Sequence, residues 1–196
     1  MNRNHPRTLA LLLGAITLSA PVFAVPLAPG ATVAINGTTL ASRPELAGTA
    51  IYDVTTPFLC TRADGTTLAK GKVESRVVQD SGGYYDFYYR LFVDTDSPGY
   101  IFDFIVSNYG STLYTDVDWR IDGVGDVAPY KSFRDNAPGT GVYFSFYAPG
   151  VHNGTSSRFI FVQTRTSGYR TGGNVALHVT DNTTYQYCNV AAAQPM

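Results

Sequence analysis
Across most of this 196-residue chain apolar and polar side chains alternate with a period of two, and glycine, proline or asparagine cuts each run short. No stretch keeps apolar residues at the roughly 3.6-residue helical period through three turns, so the pattern predicts strands and almost no helix. Runs at 31–35 and 38–41 flank Asn36-Gly37, the pair that best supplies the positive φ angles of a type I′ hairpin. A strand is expected over 49–55, and Asp64-Gly65 marks a second hairpin between 58–62 and 66–79. Further strands are expected over 84–94, 100–107, 115–122, 141–147, 158–165, 174–180 and 184–190, and the span 123–140 reads as one long loop. Loops of that length are uncommon inside a compact domain and are often functional. About ten short strands without helices describe an all-β fold of two packed antiparallel sheets, a jelly-roll or Greek-key sandwich.

Alternation also assigns faces. In 84–94, Tyr85, Phe87, Tyr89, Leu91 and Val93 share the side expected to face the core, and Tyr84, Asp86, Tyr88, Arg90 and Phe92 share the other. In 115–122, Thr115, Val117, Trp119 and Ile121 share the side expected to point inward while Asp116, Asp118, Arg120 and Asp122 line a polar side.

The start of the chain obeys different rules. Arg3, His5 and Arg7 precede an apolar stretch from Leu9 to Leu18, then Val22-Phe23-Ala24 places small residues at the minus-three and minus-one positions of a cleavage site. That layout is a secretory signal peptide over 1–24, with a single domain over 25–196. The apolar stretch is shorter than the roughly 20 residues that span a bilayer, and no later segment is apolar enough, so no membrane association is expected after cleavage. The expected location is secreted or periplasmic. Residues 1–24 hold two of the 14 basic residues and none of the 15 acidic ones, which leaves 12 minus 15, a formal charge of −3, for the domain. That balance lacks the clustered basic face of a nucleic-acid binder.

Both cysteines, Cys60 and Cys188, lie in the exported part, where disulfides persist. One bridge between them is the economical reading, and two free buried thiols are the alternative. Two cysteines with only His152 and His178 elsewhere in the domain lack the ligand spacing of a zinc site. Asn36-Gly-Thr, Asn153-Gly-Thr and Asn182-Thr-Thr are glycosylation acceptors where the exporting cell glycosylates asparagine.

The series Gly71-Lys72-Val73-Glu74-Ser75-Arg76-Val77, Tyr85-Asp86-Phe87-Tyr88-Tyr89, Thr115-Asp116-Val117 and Ser156 through Gln163-Thr164 resembles a group of secreted bacterial β-sandwich proteins, many of which carry a PEP-CTERM sorting tail. The resemblance covers residues 65–185 and implies the fold without supplying any chemistry. After Val190 the sequence reads Ala-Ala-Ala-Gln-Pro-Met, with no Pro-Glu-Pro, so it departs from the sorting-tail pattern.

Three kinds of chemistry remain open. Asp116, Asp118, Asp122 and Asp126 form the densest carboxylate cluster, a candidate for calcium, which favours about six to eight oxygen ligands. The spacing fails the EF-hand pattern, since Arg120 and Ile121 occupy a ligand position and the glycine position. The same aspartates, or Asp94 with Asp96, are the carboxylate pairs a secreted hydrolase would use. No Gly-x-Ser-x-Gly elbow is present, and neither histidine has a triad partner that sequence can supply. The third feature is tyrosine, 14 of 26 aromatic residues. Tyrosine offers an apolar plane with a polar tip, suited to stacking on sugar rings or anchoring a surface protein, and it is also a good strand former. Tyr84, Tyr88, Tyr143 and Tyr147 are the tyrosines expected to face away from the core, with Tyr109, Tyr130 and Tyr169 in loops. The reading is an exported non-enzymatic sandwich that binds a glycan or a surface protein. Its alternatives are a hydrolase using the 116–126 region and a structural envelope or matrix component. No cofactor other than calcium is implied.

Overall fold
The structure, a computed structural model, describes residues 25–110 and 112–196, so the signal-peptide expectation lies outside the described residues. Twelve strands run in chain order: β1 (Val25–Pro26), β2 (Thr32–Ala34), β3 (Gly48–Thr61), β4 (Thr67–Asp80), β5 (Tyr85–Val93), β6 (Tyr100–Val106), β7 (Asp116–Trp119), β8 (Pro129–Arg134), β9 (Val142–Phe146), β10 (Ile160–Gln163), β11 (Tyr169–Thr180) and β12 (Tyr185–Pro195). They form two six-stranded antiparallel sheets, the first ordered β1-β7-β10-β5-β4-β3 and the second β12-β11-β6-β9-β8-β2. Among the described residues no α-helix occurs, only a 3-10 turn at Pro44–Leu46. The chain changes sheet at every connection except β3–β4, β4–β5, β8–β9 and β11–β12, so the architecture is the expected sandwich.

The core sits between the sheets and is built by the predicted alternation. Phe87, Tyr89, Leu91 and Val93 of β5 are buried against the inward residues of the second sheet, with the Tyr89 ring 5.4 Å from that of Phe104. Each such side chain contributes about 1.5–3 kcal/mol when fully buried. The Tyr89 hydroxyl, which would be costly to bury unpaired, donates to the Ala193 carbonyl at 2.7 Å. Tyr109, expected in a loop, is also wholly buried and meets Phe87 edge-on at 6.3 Å.

Cys60 on β3 and Cys188 on β12 form a disulfide with Cα atoms 5.7 Å apart. These strands are the edges of their sheets on one side of the sandwich, so the bond ties the sheets where no hydrogen-bonded neighbour does. It closes a loop of 128 residues, worth about 4–5 kcal/mol on the chain-entropy account. Edge position also explains why β3 runs unbroken through Pro57, where two shorter strands were expected. A missing N–H does no harm on the open side of an edge strand.

Two expectations fail for identifiable reasons. Asn36-Gly37 is not a hairpin turn: Gly37 has φ +81°, but Thr38 pairs in parallel with Arg120 of the first sheet, so the turn carries the chain between sheets. A Cβ at Gly37 would lie 2.6 Å from the Trp119 ring, so both backbone and packing require glycine. The 123–140 span contains strand β8, disguised by Pro129 at its start and by Arg134 on its inward side. Arg134 is buried by satisfying carbonyls, donating to Gly139 at 2.7 Å, Gly110 at 2.6 Å and Leu27 at 3.1 Å.

Candidate functional site
The outer face of the first sheet carries most of the residues that sequence singles out, and its part around β5, β7 and β10 is covered. Thr38 lies beside β7 and Gly48 begins β3, at the far side of the same sheet, so residues 36–47 cross its outer face as a strap. Leu46 on the strap packs with Tyr88, Phe159 and Phe161 in a second, small apolar cluster. Tyr88 therefore points away from the main core, as alternation predicts, yet it is only 4% exposed and lies 5.3 Å from the Phe161 ring. Its ring plane is not open for stacking, which corrects the expectation for Tyr88, although the residue borders a depression of about 540 Å³ with Leu46, Arg120 and Phe159. Tyr84 stays exposed in the turn before β5, apart from the other tyrosines proposed with it.

The four candidate calcium ligands are not gathered around one point, and each has another occupation. Asp118 accepts from the Gly37 backbone N–H at 2.8 Å, and Asp122 accepts from the Leu40 N–H at 2.8 Å. Asp122 also takes two hydrogen bonds from Arg120, at 2.8 and 2.9 Å. Asp126 accepts from Ser156 at 2.9 Å, and Asp116 sits 3.8 Å from the Arg43 guanidinium under the strap. Three of the four thus fasten the strap. Among the described residues no group of three or more His, Cys, Asp or Glu side chains is arranged to hold a metal.

Beneath the strap, Asp86 on β5, Gln163 on β10 and Asp116 on β7 stand side by side across three adjacent strands. Arg43 donates to Gln163 at 2.8 Å. Burial pushes the Asp86 carboxyl up to about 8 and the Asp116 carboxyl up to about 6, the Arg43 charge opposing the shift at both. Asp118 is raised by burial as well, whereas the Arg120 hydrogen bond lowers Asp122 and the Ser156 N–H lowers Asp126. Arg43 Nη1, Asp86 Oδ2 and Asp116 Oδ1 are buried without a hydrogen-bond partner among the described residues. The pairing a hydrolase needs is thus present as carboxyl groups but sealed from substrate, with Asp86 wholly buried and Asp116 4% exposed. Asp94 and Asp96 do line an open depression of about 730 Å³ with Lys72. Asp96 is held below the usual carboxylate range by a 2.6 Å hydrogen bond from Lys70, so it is a poor proton donor.

The outer face of the second sheet is different: among the described residues no segment crosses it, and its register lines up one row of side chains. Tyr187 on β12 pairs with His178 on β11, His178 with Asp103 on β6, Asp103 with Ser145 on β9, and Ser145 with Lys131 on β8. At one side of the row the His178 ring stacks on Tyr187 at 4.5 Å and lies 3.8 Å from Phe102. At the other, Tyr147 stacks on Tyr130 at 3.9 Å and Tyr143 on Phe133 at 4.1 Å. Between them Ser145 donates to one Asp103 oxygen at 2.6 Å, and His178 Nδ1 lies 3.2 Å from the other. Tyr147, Tyr185 and Tyr187 remain 69%, 63% and 61% exposed, more than an ordinary strand tyrosine needs to be. Burial pushes the half-covered Tyr143 hydroxyl up to about 12, so it stays a neutral donor and acceptor.

Of the four tyrosines expected to bind, Tyr143 and Tyr147 lie on this face. Of its other members, His178 is read from the sequence as exposed and Tyr130 as a loop tyrosine, while Tyr185, Tyr187 and Phe102 are missed. Tyr185 and Tyr187 carry a usable signal, because Cys188 must face inward to reach Cys60 and its neighbour at 187 must then face out. Phe102 carries none. It is the extra residue of a bulge, where β11 pairs Val179 with Ile101 and His178 with Asp103, so strict alternation misplaces it. No family model matches the sequence, and neither a curated protein nor a solved structure does.

Proposed function
We propose that the chain is an exported, non-enzymatic sandwich that binds carbohydrate on the outer face of the second sheet. The observation that carries this reading is the exposed aromatic pair Tyr147 and Tyr187, each stacked on a second ring, with Asp103, Ser145 and Lys131 between them. Sugar rings present an apolar face and a rim of hydroxyls, which such a mixture of ring planes and hydrogen-bonding groups complements. Export is supported by the Cys60–Cys188 bridge, which persists in oxidising compartments, and by the layout of residues 1–24. The resemblance of residues 65–185 to secreted bacterial sandwich proteins points the same way.

The test is a glycan array probed with the domain over 25–196, followed by the same array with Tyr147→Ala and Tyr187→Ala. Binding that both variants weaken, with unchanged unfolding midpoints, is the expected result. Array-wide silence, together with capture of a protein through the same tyrosines, would replace the carbohydrate reading with a surface-protein one.

A further inference from the structure
We infer that the ligand of this face is a linear, uncharged oligosaccharide lying across the strands and touching both aromatic clusters at once; the inference rests on the carbohydrate reading. The register sets the direction. Tyr187, His178, Asp103, Ser145 and Lys131 form one line perpendicular to the strands, through five of the six strands of the sheet. Neighbouring strands stand about 4.7–4.9 Å apart, so β11 and β8, three ladder steps from each other, are separated by roughly 14–15 Å. No single sugar ring reaches from the His178–Tyr187 stack to the Tyr130–Tyr147 stack, while a chain of several units does. Along β11 the neighbours of His178 on the same side, Ala176 and Thr180, are not aromatic, so the His178–Tyr187 stack is not continued along its own strand. At the other end the Tyr143–Phe133 stack flanks the Ser145–Lys131 pair opposite Tyr130–Tyr147 and widens that end of the site along the strands.

The polar centre suits hydroxyl groups. Asp103 has its two oxygens on Ser145 and His178, each of which keeps capacity for a further partner. The ionisable side chains between the stacks are Asp103, His178 and Lys131. Lys131 already stands 5.4 Å over the Tyr130 ring and 5.8 Å over the Phe133 ring. One lysine facing one carboxylate gives no field for a polyanion, which would need a basic cluster.

The test is calorimetric titration of the domain with neutral gluco-, xylo- and chito-oligosaccharides of increasing length, from one unit to six. For any series that binds, affinity should rise at least tenfold between the shortest and the longest member. Tyr147→Ala and Tyr187→Ala, both at exposed positions, should each abolish most of that rise. Binding that does not grow with length overturns this inference and leaves the carbohydrate reading standing. So does binding confined to acidic glycans and lost as salt is raised. Absence of binding to any neutral or acidic carbohydrate overturns both.

Discussion

The backbone N–H of Gly37 meets Asp118 Oδ1 at 2.8 Å, and this contact anchors the start of the strap to the first sheet. Gly37 tolerates no side chain there, having φ +81° and the Trp119 ring 2.6 Å from where a Cβ would be. Gly37→Ala should therefore destabilise the domain by about 2 kcal/mol or more, from left-handed strain plus a clash with a ring packed on the core. Urea unfolding measures it. A loss below about 0.5 kcal/mol would show that the strap is not bound to this site as described.

The strap makes a second prediction about which tyrosines are structural. Phe87→Ala should cost about 3–5 kcal/mol, being a wholly buried core ring. Tyr88→Ala should cost about 3 kcal/mol, because its ring is closed in by Leu46, Phe159 and Phe161. Tyr187→Ala should stay within about 0.5–1 kcal/mol of the parent, since the ring is 61% exposed. Equal losses at Tyr88 and Tyr187 would contradict the burial of one and the freedom of the other.

These residues show how far sequence reasoning carries. Alternation placed Phe87 and Tyr88 on opposite sides of β5 correctly, because a strand's side-chain period is fixed by its geometry. It did not reveal that the side away from the core is covered, since that depends on a segment about 40 positions earlier returning across the sheet. The aspartates of 115–122 were legible as a polar face, but their partners, Gly37, Leu40 and Arg43, were not. Hydrogen bonds to backbone leave no signature in the partner's identity. On the second sheet, Tyr143 and Tyr147 were legible from their place opposite Val142, Phe144 and Phe146, which line the core. His178 was readable as an exposed position on the side opposite Val175, Leu177 and Val179. Phe102 was not placed on the face because it sits where the pairing of β6 with β11 slips by one residue, and Tyr130 was not because β8, disguised by Pro129 and Arg134, reads as loop.

Export and the disulfide give a third prediction. Mass spectrometry of secreted material should find a new N-terminus at Val25 and the mass of one bridged pair. Native thiol labelling should detect no free cysteine, consistent with a Cα separation of 5.7 Å at Cys60–Cys188. Two labelled thiols per chain under non-reducing conditions would sink the bridge. Recovery of chains beginning at Met1 from a membrane fraction would sink the cleavage.

The buried carboxyls beneath the strap predict an inverted pH dependence. Burial raises Asp86 from its ordinary 3.8 to about 8 in the folded chain, and Asp116 from 3.8 to about 6. Between the unfolded and folded values the folded chain holds a proton that the unfolded chain has released, so stability falls as pH rises. The contribution is complete below 3.8 and is lost as pH rises through about 6 for Asp116 and about 8 for Asp86. Where one such group dominates, the slope is about 1.4 kcal/mol per pH unit. Asp122, Asp126 and Asp181 act oppositely: hydrogen bonds from Arg120, Ser156 and Arg62 lower them, so what they contribute is present at neutral pH and lost in acid. The two sets together place maximum stability in mildly acidic solution. Asp86→Asn keeps the size of the side chain and an oxygen able to accept from the Thr164 N–H, and it removes the buried charge. Its advantage over the parent should grow by a few kcal/mol between about pH 5 and about pH 8.5, on the order of the shift it abolishes. Urea unfolding of both proteins from pH 5 to pH 9 measures this, and parallel curves across the range would show that Asp86 keeps its ordinary ionisation in the folded chain.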